Sequence, residues 1–360
     1  MNIFRKIMHS VILTTNFGVV IALVISGSMH FIKPAFSAIP SFLSYAYVPL
    51  MIVNCFFIFY WGIRLKPWVF LSIFGIVFTW NTARSWIPFN FPSKEDTSET
   101  IKVLTYNVEF FQHPGVKISN GIHPIINYIE HSNADIVCLQ EVGPEFVLTH
   151  MRDATSRSML SVYPYFVSGE KENRYSVILL SKYPILNYRR IQYSSQSNSS
   201  YYYDIRVGED TIRLINNHLE SNKLNSMEKN QYSDLIRKRE SDQITKVAEN
   251  LSSKVGSATV IRGSQADSVA AVIKDSPFKT LVCGDFNDVP GSYTYRTIRK
   301  GLMDAWVERG LGWGNTFNDH LFLFRIDYIL YSSAFKCVKF QRDKVVYSDH
   351  YPIWANFRIQ

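Results

Sequence analysis

The chain has 360 residues, 15% of them aromatic, and a formal net charge of +8. Arg5, Lys6, Lys33, Arg64, Lys66 and Arg84 are the only charged residues in positions 1–92, so that stretch carries +6 and residues 93–360 only +2. The near-neutral remainder removes global charge as an argument for a nucleic-acid surface, and a first quarter without Asp or Glu excludes a single soluble globule.

Uncharged stretches of 26, 30 and 17 residues separate Lys6 from Lys33, Lys33 from Arg64 and Lys66 from Arg84. A spanning helix needs about 20 mostly apolar residues. The pattern predicts three transmembrane helices, at about 10–31, 41–63 and 67–86, within a membrane anchor covering 1–87. Pro34, Pro40 and Pro67 punctuate the connections, and Trp61, Trp68, Trp80 and Trp86 sit near the expected boundaries, where indole partitions. The competing reading is a buried apolar helical domain, against which the missing acidic residues weigh. Arg5, Lys6, Arg64 and Lys66 outnumber Lys33 and Arg84 on the opposite side, which predicts a cytoplasmic N-terminus and an extracytoplasmic domain after three crossings. If the third segment does not cross, that domain faces the cytoplasm.

Residues 88–100, PFNFPSKEDTSET, read as a linker, and 101–360 as one domain. Short runs rich in Val, Ile and Tyr predict strands: IKVLTYNV, ADIVCLQEV, YSVILLSKYPI, YYYDIRVG, TIRLINNHL, TLVCGDFN, FRIDYILYS and YPIWANFRI. HPIINYIEHSN, EFVLTHMRDA, residues 226–256 and GSYTYRTIRKGL read as helices, and SSQSNSS at 194–200 as a loop. Adjacent strands with short turns, such as Gly208-Glu209-Asp210, predict an α/β sandwich of two mixed or antiparallel sheets rather than a doubly wound parallel sheet. Cys138, Cys283 and Cys337 show no metal-type spacing and read as buried thiols.

Polar residues terminate strand after strand. They are Asn107, Gln140 and Glu141, Asn216 to Glu220, Asp285, Asn287 and Asp288, Asp327, and Asp349 with His350. Singly each is an ordinary cap or turn; together they form a site at strand ends. Carboxylate and carboxamide oxygens without thiolates suit a hard cation, Mg²⁺ or Mn²⁺. HExxH, GxSxG, GxxxxGK[ST] and GxGxxG are absent, which disfavours a zinc hydrolase, an α/β-hydrolase, a nucleotide switch and a Rossmann enzyme. A hard metal beside histidines and carboxylates suits metal-assisted hydrolysis of a phosphate ester.

The ordered set TYN, QE, NHL, GDFND, RIDYIL and SDHYPI resembles the endonuclease/exonuclease/phosphatase superfamily, deoxyribonuclease-I-like, over essentially all of 101–360. The resemblance implies a two-sheet α/β sandwich with its site at one end. It implies Glu141 as principal metal ligand, with Asn107 beside it and Asp349 as a further acid of the metal site. Asp285 corresponds to the residue that orients or deprotonates water, and Asn287 to the amide that holds a phosphoryl oxygen. His350, paired with Asp327, corresponds to the phosphate-contacting histidine. His218 matches a histidine of deoxyribonuclease-I-like and sphingomyelinase-like members; Asn287, His218 and His350 are the substrate-contacting set. The N-terminal helices resemble those of membrane-anchored bacterial members.

Three functions compete. The first is a membrane-anchored, Mg²⁺-dependent phosphoesterase acting on a phospholipid headgroup or small phosphoester, with no protein partner inferred. The second is a surface nuclease for DNA or RNA; Arg237-Lys238-Arg239, followed by Glu240 and Asp242, reads rather as a solvated helix face. The third is a non-catalytic membrane sensor, which the completeness of the site residues disfavours.

Overall fold

The computed structural model describes residues 3–91, 96–118, 122–143, 157–169, 176–195, 198–222, 241–318 and 323–360. The apolar first quarter folds into α1 (Ile3–Ser28), α2 (Ile39–Tyr45), α3 (Tyr47–Ile63), α4 (Val69–Phe78) and α5 (Trp80–Trp86). Buried polar side chains tie α1, α3 and α4 together. Asn16 Nδ2 donates to Ser72 Oγ at 2.8 Å, Trp61 Nε1 to Asn16 Oδ1 at 2.9 Å, and Asn54 Nδ2 to Ser72 O at 2.8 Å. Such interhelical bonds satisfy polar groups that are buried among apolar side chains. Ile7, Val11, Phe56, Phe59, Phe70 and Phe74 point outward and are exposed.

The expectation of three transmembrane helices is corrected here. One helix, Ile3–Phe31, is long and apolar enough to cross a membrane; α2 and α3, bent by 48°, make a second if they act as one span. The third segment breaks at Thr79. Its backbone (φ −98, ψ 19) leaves the helical region and ends α4 after ten residues; its hydroxyl donates to Gly75 O at 2.8 Å and accepts from Tyr47 Oη at 2.8 Å, a back-bond that bends helices. Ten residues reach about 15 Å, half of a hydrocarbon core. Accordingly α4 starts beside Phe17, partway along α1, where the Phe17 and Trp68 rings are 6.2 Å apart.

The remainder is the predicted two-sheet sandwich. Its strands are β1 (Ile101–Asn107), β2 (Ile136–Val142), β3 (Tyr165–Ser168), β4 (Ser176–Ser181), β5 (Ile185–Arg190) and β6 (Ser199–Val207). They continue as β7 (Asp210–His218), β8 (Lys279–Asp285), β9 (Met303–Asp304), β10 (Asp327–Tyr331), β11 (Phe335–Arg342) and β12 (Ile353–Ile359). One sheet runs β11-β12-β1-β2-β4-β3 and the other β5-β6-β7-β8-β10-β9. Each is antiparallel except for its central pair, β1 with β2 and β7 with β8. Between the sheets, Val103, Cys138, Leu179, Tyr203, Leu214, Leu281, Cys283 and Phe357 are buried in one core. Outside the first sheet lie α6 (Pro124–His131) and α7 (Arg157–Val162). Outside the second lie α8 (Ser241–Lys274) and α9 (Tyr293–Arg299), with α10 (Ala305–Arg309) beside β11.

Several expectations needed adjustment. Of the helix read over 226–256, residues 226–240 lie outside the described residues; α8 runs Ser241–Lys274, past the predicted end, because Ala266 and Val269 pack on β8 and α9. Ser199 and Ser200 of the predicted loop open β6 and pair with His218 and Asn217. Residues 88–91 of the linker are held: Asn90 Nδ2 donates to Val307 O and Gly310 O at 2.9 and 2.8 Å. EFVLTHMRDA and Arg237-Lys238-Arg239 lie outside the described residues.

Gly284 pairs with Asn217 across β7 and β8 at φ +119, and a Cβ there would lie 2.0 Å from Asn217 O. Both space and backbone geometry demand glycine, so this contact sets how closely His218 and Asp285 approach. Gly284→Ala should lower stability by about 1–3 kcal/mol or more, from overpacking in a close-packed layer. Thermal unfolding of the full-length protein in detergent checks it; an unchanged midpoint would show that the strands can part without cost.

Candidate active site

Strand direction explains why distant residues converge. In each parallel central pair both strands finish at the same edge, which delivers Asn107 and Glu141 from one sheet and His218 and Asp285 from the other. β10 runs antiparallel to β8 and starts there, with Asp327 in register opposite Asp285. β12 runs antiparallel to β1, so Asp349 and His350 precede it at that edge too. All eight predicted site residues are therefore brought together.

Asp285 is at the centre and 1% exposed. Its Oδ2 accepts from Asn107 Nδ2 at 3.0 Å and from Asn287 Nδ2 at 3.1 Å, and its Oδ1 from Asn287 N at 2.8 Å. Oδ2 also lies 3.9 Å from His218 Nε2 and 3.8 Å from His350 Nε2. Burial, then the charge of Asp327, pushes the Asp285 carboxyl up to about 6, against the opposing pull of the two histidines and the Asn287 N–H. His350 Nδ1 is 2.8 Å from Asp327 Oδ2. Burial disfavours the imidazolium, but the charges of Asp327 and Asp285 outweigh it and hold His350 well above the usual histidine range.

Glu141 is reached differently. A bulge in β2 opposite β4, between Leu139 and Val142, and a left-handed φ of 54° at Glu141 turn its carboxylate into the cleft. Asn107 Nδ2 donates to it at 3.1 Å, and His218 Nε2 lies 3.3 Å away. Burial opposes ionisation, but His218 contact and charge overcome it and hold Glu141 below its ordinary value; reciprocally, Glu141 raises His218 despite burial. Asn287 also has a left-handed φ, 51°, and its amide bonds Leu219 O at 3.0 Å as well as Asp285. Asp349 accepts Asn318 N on its carbonyl, and its Oδ1 lies 3.9 Å from His350 Nε2.

The donor set fits a hard cation. Among the described residues, Asp285, Asp327 and His350 offer ligand atoms all within 4.8 Å of one another, and Asp327 Oδ1 is buried without a hydrogen-bond partner. Glu141 and Asp349 are the more open carboxylates, their side chains 21% and 22% exposed against 1% for Asp285. Glu141, with Asn107 behind it, and Asp349 are thus the carboxylates most open to the cleft.

Supporting residues went unnoticed in the sequence. Glu109 accepts Asp349 N at 3.0 Å and touches His113 Nδ1 at 2.6 Å; its place two residues after Asn107 was the available signal. Ser348 Oγ donates to Asn107 O at 2.8 Å and accepts His350 N at 3.2 Å, and its position within SDH could have shown it. Thr316 Oγ1 accepts Ile326 N and Asp327 N, both at 3.0 Å, and nothing in its surroundings marks it. Two strand-end amides instead stitch the sheets together below the site, Gln140 Nε2 donating to Asn216 Oδ1 at 2.7 Å.

Comparisons agree with this geometry. The model of the endonuclease/exonuclease/phosphatase family matches residues 104–350, and that of a domain of unknown function, DUF8431, matches residues 9–86. No curated protein matches. Among solved structures, ANGEL2, a 2',3'-cyclic phosphatase in complex with adenosine-2',3'-vanadate, is 15% identical, covering 75% of this chain and 99% of its own at a TM-score of 0.51. The human Nocturnin catalytic domain with bound sulfate is 15% identical, covering 73% and 95%, at 0.50. D. rerio TDP2 complexed with a single-strand DNA product is 17% identical, covering 72% and 99%, at 0.49. At these identities the likeness is one of fold.

The Asp327–His350 pair carries a pH prediction with a definite sign. Asp327→Asn removes a negative neighbour from both His350 and Asp285, so both pKa values fall and both limbs of the pH–rate profile move to lower pH. Turnover should drop by roughly two to four orders of magnitude, as for loss of an oriented catalytic group. His350→Ala should cost at least as much, with the double mutant little worse. Additive losses with unmoved limbs would reduce Asp327 to a turn residue.

Proposed function

Because the chain belongs to the endonuclease/exonuclease/phosphatase family, whose chemistry is phosphoester hydrolysis, we propose that it is a membrane-anchored, divalent-metal-dependent phosphoesterase. We favour Mg²⁺, with Mn²⁺ as a substitute, held by Glu141, Asn107 and Asp349. The observation that carries the reading is the buried Asp285, raised to about 6 between two histidines and two carboxamides, next to the more open Glu141. When bound, the cation supplies neutralisation of phosphate oxygens and acidifies water. Asp285 is a base whose pKa suits accepting a water proton near neutral pH. Cationic His350, oriented by Asp327, offsets charge developing on the phosphoryl oxygens. His218 keeps Glu141 ionised and faces the same space. Asn287 fixes Asp285, and its expected phosphoryl contact requires its amide to turn from Leu219 O.

The outward apolar faces of α1, α3 and α4 support a bilayer location and hence a phosphoester at a membrane surface, such as a phospholipid headgroup. The nuclease reading stands second: ANGEL2 and Nocturnin share the fold, and ANGEL2 was captured with a nucleotide analogue. The full-length protein should be assayed on bis-p-nitrophenyl phosphate, p-nitrophenyl phosphate, sphingomyelin, phosphatidylinositol phosphates and single- and double-stranded DNA, with and without Mg²⁺. We expect metal-dependent hydrolysis of a small or lipid phosphoester. Glu141→Gln should lose about three orders of magnitude, since several kcal/mol of charge stabilisation go with the ligand. Preferential cleavage of DNA would favour the nuclease, and full activity of Glu141→Gln at low Mg²⁺ would remove Glu141 from the metal site.

Orientation is a second prediction. The domain meets the helices at their Lys33 end, where Lys33 pairs with Asp267, while Arg5 and Lys6 lie in the first turns of α1 and Arg64 and Lys66 in the connection from α3 to α4, partway along α1. The third segment is too short to cross, so counting spans would leave the domain in the cytoplasm; its packing at the Lys33 end of α1, opposite Arg5 and Lys6, argues the other way, and because basic residues favour the cytoplasm we infer an extracytoplasmic domain on a bacterial inner membrane. A reporter active only outside the cytoplasm, fused after Gln360, should be active; activity of a cytoplasm-only reporter there would reverse the assignment.

A further inference from the structure

The two loops that carry catalytic side chains are not finished by the sandwich itself. After Asn287 the chain continues through Asp288, Val289 and Gly291; before Asp327 it runs through Phe324, Arg325 and Ile326. Val289 and Ile326 are buried in one apolar cluster with Leu23, Tyr47, Val48, Ala83 and Trp86, all from the N-terminal helices. Polar contacts reinforce the seam. Ser44 Oγ donates to Gly291 O at 3.0 Å, Arg299 Nη1 to Ser85 Oγ at 2.9 Å, and Arg84 pairs with Glu308 at 3.2 Å.

Arg325 is the pivot. It is buried and bonded on two sides: Nη1 donates to Asp304 Oδ2 and Nη2 to Ser85 O at the end of α5, each at 2.8 Å. The guanidinium lies 4.5 Å over the ring of Tyr328, whose hydroxyl donates to Arg325 O at 2.9 Å and to Asp288 O at 2.8 Å. The main chains of both loops are thereby pinned to Tyr328, and Arg325, stacked on its ring, ties that junction to Ser85 in α5. Undocking the helices would leave a buried guanidinium short of an acceptor and bare Val289 and Ile326 to water, so the loops would rearrange.

We propose that the N-terminal helices are a working part of the active site, holding the Asn287 and Asp327 loops through Trp86, Ser85 and Arg325, with Trp86 and Arg325 as positioning residues. The proposal rests on the phosphoester-hydrolase reading of the site for its kinetic arm. Its structural arm does not need that reading. An excised domain beginning at residue 93 should accordingly fold loosely at this edge.

The test uses the full-length protein in detergent, comparing wild type with Trp86→Ala, Trp86→Phe and Ser44→Ala. Kinetics are measured on bis-p-nitrophenyl phosphate, and hydrogen exchange at the Phe286 amide, which donates to Ile326 O at 2.9 Å. The Ile215 amide, in the middle of β7, reports the core. Trp86→Ala should lower kcat about 10–100-fold, the scale of an ångström's misplacement, with KM nearly unchanged. Exchange should quicken at Phe286 but not at Ile215, and Trp86→Phe should restore most of both. Wild-type kcat and slow Phe286 exchange in Trp86→Ala would overturn the proposal, as would a rise in KM alone. If Ile215 also exchanges fast, the variant has unfolded and Ser44→Ala decides. It must quicken exchange at Ser292, whose amide donates to Val289 O at 3.0 Å, and unchanged exchange there overturns the proposal. If the wild type hydrolyses no phosphoester, the functional reading fails while the exchange measurements still test the docking.

Discussion

The buried carboxylate of Asp285 is the constraint around which this site is built. A carboxylate so enclosed is stable only if its neighbours replace water. Two carboxamides donate to Oδ2 and a backbone N–H to Oδ1, and His218 and His350 approach Oδ2 as well. Those partners dictate much else. Asn107 must end β1, Asn287 must turn left-handed, and His350 must be oriented, which Asp327 does. The charge of Asp327 raises both Asp285 and His350, so a base of moderate strength stands beside an imidazolium that holds its proton firmly. Opposed environments for neighbouring titratable groups are how one pocket supports both halves of a proton-transfer reaction.

Much of this was legible because strands write polar residues where they stop. Asn107, Glu141, His218, Asp285, Asp327 and His350 interrupt apolar runs that otherwise obey core patterning, so their role at strand ends could be read before the sheets were known. The order of the strands could not. β3, β5, β9 and β11 carry weak or amphiphilic patterns; β5, ILNYRR, is an exposed edge with little to bury. Likewise Thr316 looks like any loop threonine, because its role lies in accepting two backbone amides from a segment ten residues away.

The first quarter shows the opposite failure. Its composition was read correctly as apolar, but hydropathy is blind to a side chain that bends a helix. Thr79 does so by bonding its own backbone and accepting Tyr47, and no count of apolar residues in 67–86 registers that. The seven-residue helix that follows is turned toward the domain, its Thr82, Ala83, Ser85 and Trp86 buried. A segment taken as membrane-spanning therefore contributes one face of a protein interface.

These observations meet at a single edge of the sandwich. Glu109, Glu141 and Asn287 have positive φ there, the buried charges lie there, and two loops end there without apolar cover of their own. Strained backbone and enclosed charge each cost free energy that a sheet edge alone does not return. The helices supply the missing cover: Trp86, Tyr47 and Leu23 enclose Val289 and Ile326, and the Ser85 carbonyl completes the bonding of Arg325. On this view the site and the helices are one cooperative unit. Any force that shifts the helices relative to the sandwich acts first on the loops that hold Asn287 and Asp327.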